Sequence, residues 1–304
     1  MTERTLRGVI PPMVTPFKDD ESIDHEAFVQ ELEFLLQFDI DGLSIGGSTG
    51  EGAVLDDAEL VELIRLAQAE NRRRLPIVAG VIRNSTRDAV RLASLVCEAG
   101  ADALLVTPPF YYGGSPQGNR DFYRAIAQEI DRPLLIYNVV PDNRIAPEDM
   151  LALADVPQIV GVKQVGASEL AAMTSLDKKR RGSDPRPDVR RTLSVFSACD
   201  DMLYPTYVSG ACGSIAAINT AVPGLCVEQW RAFERGDHET AAAIHRRLHF
   251  VFRSYFRRPF PGRIKQVLQL LGRSVGRARQ PIDMPDTAET EQMRALLRQA
   301  GLIP

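Results

Sequence analysis

Eight short apolar runs recur along this sequence, each followed by a segment with helical spacing, and this recurrence restricts the fold more than any other feature. The runs are Val9-Ile10, Gly42-Leu43-Ser44-Ile45, Pro76-Ile77-Val78-Ala79, Ala103-Leu104-Leu105-Val106, Pro133-Leu134-Leu135-Ile136, Ile159-Val160-Gly161-Val162, Leu193-Ser194-Val195-Phe196 and Ser214-Ile215-Ala216-Ala217. They are continuous rather than alternating. Strands buried on both faces read this way, as in a parallel sheet covered by helices. The segments between them carry apolar stripes, such as Phe28, Leu32, Leu35 and Leu36, or Leu60, Leu63, Ile64 and Ala67. Glycine closes several of these helices before the next run, as in Glu98-Ala99-Gly100-Ala101-Asp102.

Eight such units, joined by right-handed crossovers, predict a (β/α)8 TIM barrel over residues 1–224. The competing architecture, a doubly wound open sheet, has fewer strands and a glycine-rich first turn that this chain lacks. Beyond residue 224 only helical patterns follow, at 226–235, 239–256, 262–271 and 286–299. Residues 225–304 therefore read as a small C-terminal helical region packed on the barrel, with Asp286 and Glu289 spaced as a capping box. The stretch from Asp177 to Arg191 mixes Arg, Lys, Asp and Pro, and its acidic residues favour a solvated loop over a nucleic-acid patch.

With 304 residues, 44% of them hydrophobic, the chain can bury a large core. A net charge of −4 with 25% charged residues provides no basic surface for nucleic acid or an anionic membrane. No apolar run approaches the roughly 18 to 20 residues of a membrane span. The amino terminus has no signal-peptide core, so a cytoplasmic location is expected. None of the four cysteines forms a Cys-x-x-Cys pair, and they are expected as buried thiols in a reducing compartment. His245 and His249 have a metal-compatible spacing, but no third ligand stands near them in sequence.

Active sites in such barrels lie at the carboxyl ends of the strands. There the runs deliver Thr15, then Gly47-Ser48-Thr49-Gly50-Glu51, Thr107, Tyr137-Asn138 and Lys163. Lys163 closes the sixth run and is expected to point inward, where lysine is rare unless paired or functional. An ordinary lysine, with a pKa of about 10.4, is almost wholly protonated at neutral pH. Desolvation at an apolar strand end favours the neutral, nucleophilic amine. Position alone leaves a salt-bridged rim lysine equally open. Tyr137, one strand away, offers a phenol that can move the protons of imine formation, or can simply cap the core. The turn Gly46-Gly47-Ser48-Thr49-Gly50 presents successive N–H groups and two hydroxyls suited to a carboxylate. It matches neither a phosphate loop nor a dinucleotide fingerprint.

Taken with the opening Pro11-Pro12-Met13-Val14-Thr15-Pro16-Phe17, the segments Gly47-Ser48-Thr49-Gly50-Glu51, Val106-Thr107-Pro108, Tyr137-Asn138-Val139 and Gly161-Val162-Lys163 resemble the dihydrodipicolinate synthase/N-acetylneuraminate lyase family over essentially the whole chain. The resemblance implies a class I lyase whose lysine forms a Schiff base with pyruvate or another 2-oxo acid, needing no metal or organic cofactor. It implies Lys163 as the Schiff-base residue and Tyr137 as the proton shuttle. Ser48 and Thr49, with Gly47 in the same turn, would hold the carboxylate, Ser48 also joining the proton relay. Tyr111 would be lent to a neighbouring subunit's site, although an extra residue near Pro109 leaves Tyr111 and Tyr112 both open. Ile215 would line the site, and a homotetramer built as a dimer of dimers would be the assembly.

Departures from the family pattern bear on the substrate. Asp142 stands where the synthases carry an arginine for the second substrate's carboxylate, with Arg144 two residues on. Gln164-Val165-Gly166-Ala167-Ser168 and Ser197-Ala198-Cys199-Asp200 also differ from the usual runs. These changes favour an aldolase or dehydratase acting on a 2-keto-3-deoxy sugar acid over a dihydrodipicolinate synthase. A non-catalytic 2-oxo acid-binding paralogue would be expected to have lost Lys163 or Tyr137, and both are present.

Overall fold

In the computed structural model, which describes residues 6–183 and 193–304, each of the eight apolar runs overlaps a parallel strand, the first and the eighth by a single residue. The strands are β1 (Gly8–Val9), β2 (Leu43–Ile45), β3 (Ile77–Val81), β4 (Ala103–Val106), β5 (Leu134–Asn138), β6 (Ile159–Gln164), β7 (Ser194–Ser197) and β8 (Gly213–Ser214). Their order is β1-β8-β7-β6-β5-β4-β3-β2. The remaining gap is closed just beyond β1, where the Ser44 N–H donates to the Pro11 carbonyl at 2.9 Å and the Met13 N–H to the Ser44 carbonyl at 2.8 Å. The sheet is thereby a (β/α)8 barrel.

The helices between strands are α1 (His25–Leu36), α2 (Asp57–Glu70), α3 (Thr86–Glu98), α4 (Pro116–Glu129), α5 (Pro147–Leu153), α6 (Ala167–Ser183) and α7 (Leu203–Val208). Local chemistry sets where they begin. Asp24, Ser85 and Ser115 each accept an N–H of the first turn, and Asp56 with Glu59 forms a capping box on α2. After β8 come α8 (Ala217–Ala221), α9 (Pro223–Glu234), α10 (His238–Tyr255), α11 (Gly262–Leu270) and α12 (Thr287–Gln299), the last opened by the Asp286–Glu289 box. The final helices form a C-terminal region in which α10 packs on α9, α11 and α12 and also reaches α7 and α8 of the barrel.

Two expectations are corrected. The eighth run does not stay extended to Ala217. The chain turns into α8 there, and the Asp200 carboxylate accepts the Ile218 N–H at 2.7 Å, rewarding a helical start at that point. The charged stretch beginning at Asp177 is not loop throughout, because α6 continues to Ser183. Lysine and arginine are good helix formers, and Leu170 and Met173 anchor the preceding turns in the core. The rest of that stretch lies outside the described residues.

Alternation along the strands sorts the core into two layers. Leu104, Val106, Leu134, Ile136 and Val162 face the helices, whereas Leu105, Leu135, Tyr137 and Phe196 fill the barrel with Ile10, Val78 and Ile215. Because successive strand residues point to opposite faces, Val162 outward means Lys163 inward.

Candidate active site

Strand register brings two of the expected residues together. Tyr137 pairs with Lys163, and Lys163 in turn with Phe196, so a single row of the barrel carries all three. Lys163 is buried, at 4% exposure, and its Nζ stands over the Tyr137 ring, 3.9 Å from the centroid. The Tyr137 hydroxyl donates to Ser48 Oγ at 3.1 Å. Ser48 belongs to the turn after β2, so the phenol links the turn to the lysine's strand pair.

That turn is shaped by its glycines. Gly46 has φ of 72°, the left-handed region that costs other residues 1 kcal/mol or so. A Cβ on Gly52 would meet the Gly46 carbonyl oxygen at 1.7 Å, so only glycine allows the turn to fold back on itself. Below it lies a fully buried ion pair, Lys265 Nζ to Glu51 Oε1 at 2.6 Å. Lys265 also donates to the carbonyls of Thr15 and Arg277, both at 2.7 Å, and the Arg279 N–H donates to the second Glu51 oxygen at 2.9 Å. Burial moves both ionisations toward neutrality, Glu51 upward and Lys265 downward, and the attraction between the partners opposes this. A residue of α11 thus fastens the turn that presents Ser48 and Thr49.

A cavity of ≈ 810 Å³ opens over this row, within the usual range for a small-molecule site. Ser48, Thr49, Tyr137, Lys163 and Ile215 all line it. Gly47 lies in the same turn without lining the cavity, its carbonyl accepting the Gly52 N–H at 3.0 Å. Tyr111 and Tyr112 are elsewhere, stacked edge to face at 4.7 Å and exposed at 75% and 91%. Thr15, Thr107 and Asn138 also stay out of the cavity. Thr15 Oγ1 donates to the Gly50 carbonyl, and Asn138 bridges Gln164 and Ile145, so both support the loops behind the site.

Several lining residues were not among the site residues expected from the sequence, although Ala198, Cys199 and Asp200 belong to a run noted there as departing from the family pattern. The segment after β7 contributes Ala198, Cys199, Asp200 and Asp201. Asp200 accepts from the Tyr255 hydroxyl at 2.6 Å and so ties β7 to α10. Burial pushes its carboxyl above the usual carboxylate range, against those hydrogen bonds. Burial likewise raises the Cys199 thiol, which accepts the Gly166 N–H at 3.2 Å. The expectation of four buried thiols holds for Cys199 and Cys226, whereas Cys97 and Cys212 are partly accessible. Phe252, Tyr255, Phe256, Arg257, Arg258 and Phe260 come from the end of α10 and the segment after it. The signal available in sequence was the charged break Phe256-Arg257-Arg258-Pro259-Phe260-Pro261 between two helical patterns, but its distance from β6 along the chain hid its place. Among the described residues, no cluster of three or more His, Cys, Asp or Glu side chains could hold a metal. Nor is any described helix long and apolar enough to cross a membrane.

Comparison with known proteins gives a consistent result. Residues 5–300 match the model of the Dihydrodipicolinate synthetase family. The chain is 32% identical over 300 residues to a 4-hydroxy-tetrahydrodipicolinate synthase of Archaeoglobus fulgidus, covering 98% of this chain and 99% of the relative. Among solved structures it resembles YagE, a prophage protein of the dihydrodipicolinic acid synthase family from E. coli K12 in complex with pyruvate. That match has a TM-score of 0.90 at 27% identity and covers 98% and 99% of the two chains. A monomeric dihydrodipicolinate synthase variant matches with a TM-score of 0.91 at 25% identity, covering 98% of each chain.

Proposed function

The chain belongs to the dihydrodipicolinate synthetase family, and from that premise we propose that it captures a 2-oxo acid, pyruvate foremost, as an imine on Lys163. The observation that carries this reading is the buried Lys163 amine over Tyr137, with the Tyr137 hydroxyl bonded to Ser48. The carboxylate of the 2-oxo acid rests on the Ser48–Thr49 turn, which places C2 beside the amine. Lys163 Nζ adds to C2, and the Tyr137–Ser48 pair carries the proton to the carbinolamine oxygen that leaves as water. The protonated imine then accepts the electron pair of the adjacent C–H or C–C bond, so C3 can act as a nucleophile or a bond at C3–C4 can break. Borohydride reduction in the presence of pyruvate, followed by peptide mass spectrometry, is expected to place a stable adduct on Lys163. No adduct with any 2-oxo acid tried would overturn the reading.

For the second reactant, the name shared by the relatives supports a synthase that condenses pyruvate with aspartate semialdehyde. A second reading, an aldolase or dehydratase of 2-keto-3-deoxy sugar acids, is favoured by the segment after β5. Asp142 and Arg144 both line a separate, smaller cavity, and Arg144 is paired with Glu169 at 3.3 Å. Neither offers the recognition arginine of a synthase. Consumption of pyruvate with aspartate semialdehyde, set against pyruvate release from 2-keto-3-deoxy acids, separates the two. An assembly of four subunits, with Tyr111 or Tyr112 completing a neighbour's site, rests on the exposure of that aromatic pair and on the family resemblance.

A further inference from the structure

The cavity is chemically divided along its depth. At its floor stand the buried Lys163 amine and the Ser48–Thr49 turn; along its walls Val139, Ala198, Ala216 and Phe252 offer little polarity. At its rim the segment between α10 and α11 contributes two adjacent arginines, Arg257 and Arg258, both exposed and flanked by the accessible rings of Phe256 and Phe260. Among the described residues, neither arginine has an ion pair, although Asp200 and Asp201 line the same cavity. Asp200 is already engaged by the Tyr255 hydroxyl and the Ile218 N–H. The segment after β5, meanwhile, leaves the cavity without a cation, because Arg144 is turned to Glu169.

We propose that Arg257 and Arg258 form the recognition site for a second carboxylate at the end of the substrate remote from the 2-oxo group. This deepens the imine reading and rests on it. One carboxylate is taken by the Ser48–Thr49 turn, which lies deep. A substrate extended from Lys163 toward solvent brings its far end to the arginines, whose planar forks suit a carboxylate. The substrate class is thus a dianion once assembled on the enzyme: either a 2-oxo diacid, or pyruvate joined to an aldehyde that carries its own carboxylate. The second case would relocate the role of the missing arginine from the segment after β5 to the C-terminal region.

The test needs no turnover. Imine trapping on Lys163 is titrated with pyruvate, with 2-oxoglutarate, and with 2-oxohexanoate, which has a similar length but no distal charge. Wild type is expected to half-saturate with 2-oxoglutarate at about 10- to 100-fold lower concentration than with 2-oxohexanoate, the scale of a charge-assisted hydrogen bond. In Arg257→Ala/Arg258→Ala that preference disappears, while the pyruvate titration stays in place. A preference for 2-oxoglutarate that persists in the double variant overturns the proposal, as does its absence in wild type. Failure of the imine reading is separable, since pyruvate would then not be trapped at all; the charge preference is in that case read from calorimetric binding of the same acids. Turnover with aspartate semialdehyde against turnover of a 2-keto-3-deoxy hexaric acid tells which source supplies the carboxylate.

Discussion

Lys163 and Tyr137 meet through two elementary facts of a parallel barrel. Strand residues alternate faces, and neighbouring strands lie about 4.8 Å apart, so two inward residues in register must touch. Tyr137 and Lys163 satisfy both conditions. If the amine is the nucleophile, Lys163→Ala abolishes turnover and borohydride trapping together, while thermal unfolding followed by circular dichroism stays cooperative. Retention of substantial activity would remove the lysine from the chemistry. Tyr137→Phe keeps the ring under the amine but loses the hydroxyl bonded to Ser48, and kcat is expected to fall roughly 10²-fold or more. A rate near that of wild type would leave the tyrosine a packing residue only. Both residues could be named from sequence because each closes an apolar run. The 3.1 Å Tyr137–Ser48 bond could not, since it spans elements distant along the chain.

At the scale of elements, the notable joint is between α11 and the turn after β2. Lys265 is wholly buried, and its ammonium is shared among Glu51 and two backbone carbonyls. Nothing in the amphipathic pattern of α11 announces this, because a lysine on a helix reads as a solvated residue. Lys265→Met leaves an uncompensated acid in the core and is expected to cost about 3–5 kcal/mol of stability, read from urea unfolding. Adding Glu51→Gln to it should restore part of the loss, since the stranded charge is gone. A double variant less stable than Lys265→Met alone would show that the charge of Glu51 is not the source of the cost. The same reasoning explains why helix boundaries were largely legible and the end of the eighth strand was not. Caps such as Asp286–Glu289 are local, whereas α8 begins where Asp200, from the preceding unit, captures the Ile218 N–H.

For the molecule as a whole, the segment after α11 is pinned back onto the barrel by Arg279. It donates to the Glu21 and Val54 carbonyls and pairs with Glu59 of α2 at 2.6 Å. The Arg279 hydrogen bond holds the Glu59 carboxyl below its ordinary value of 4.5, partly offset by desolvation. The folded pKa is therefore lower than the unfolded one. The stabilisation is present above about pH 4.5 and is lost as pH falls through the folded value, because the unfolded chain then binds the extra proton. Glu59→Gln should lower the urea midpoint at neutral pH and flatten its decline between roughly pH 5 and 3. An unchanged slope in that window would show that the pair does not couple stability to pH.

The strand count, the helical tail, the inward lysine and its tyrosine were all determined by the sequence itself. Each follows from periodicity, capping and alternation, which act over a few residues and do not depend on distant partners. The outer half of the site was decided only by tertiary structure. Asp200, Tyr255 and the Phe256–Phe260 segment reach the cavity because α10 packs across the barrel end, and that packing reflects complementarity between surfaces far apart in the chain. The asymmetry runs through the chemistry as well. Residues that strands carry could be located from their position along the chain. The arginines proposed to choose the substrate stand on a connection between helices, and only the closed fold turns that connection toward Lys163.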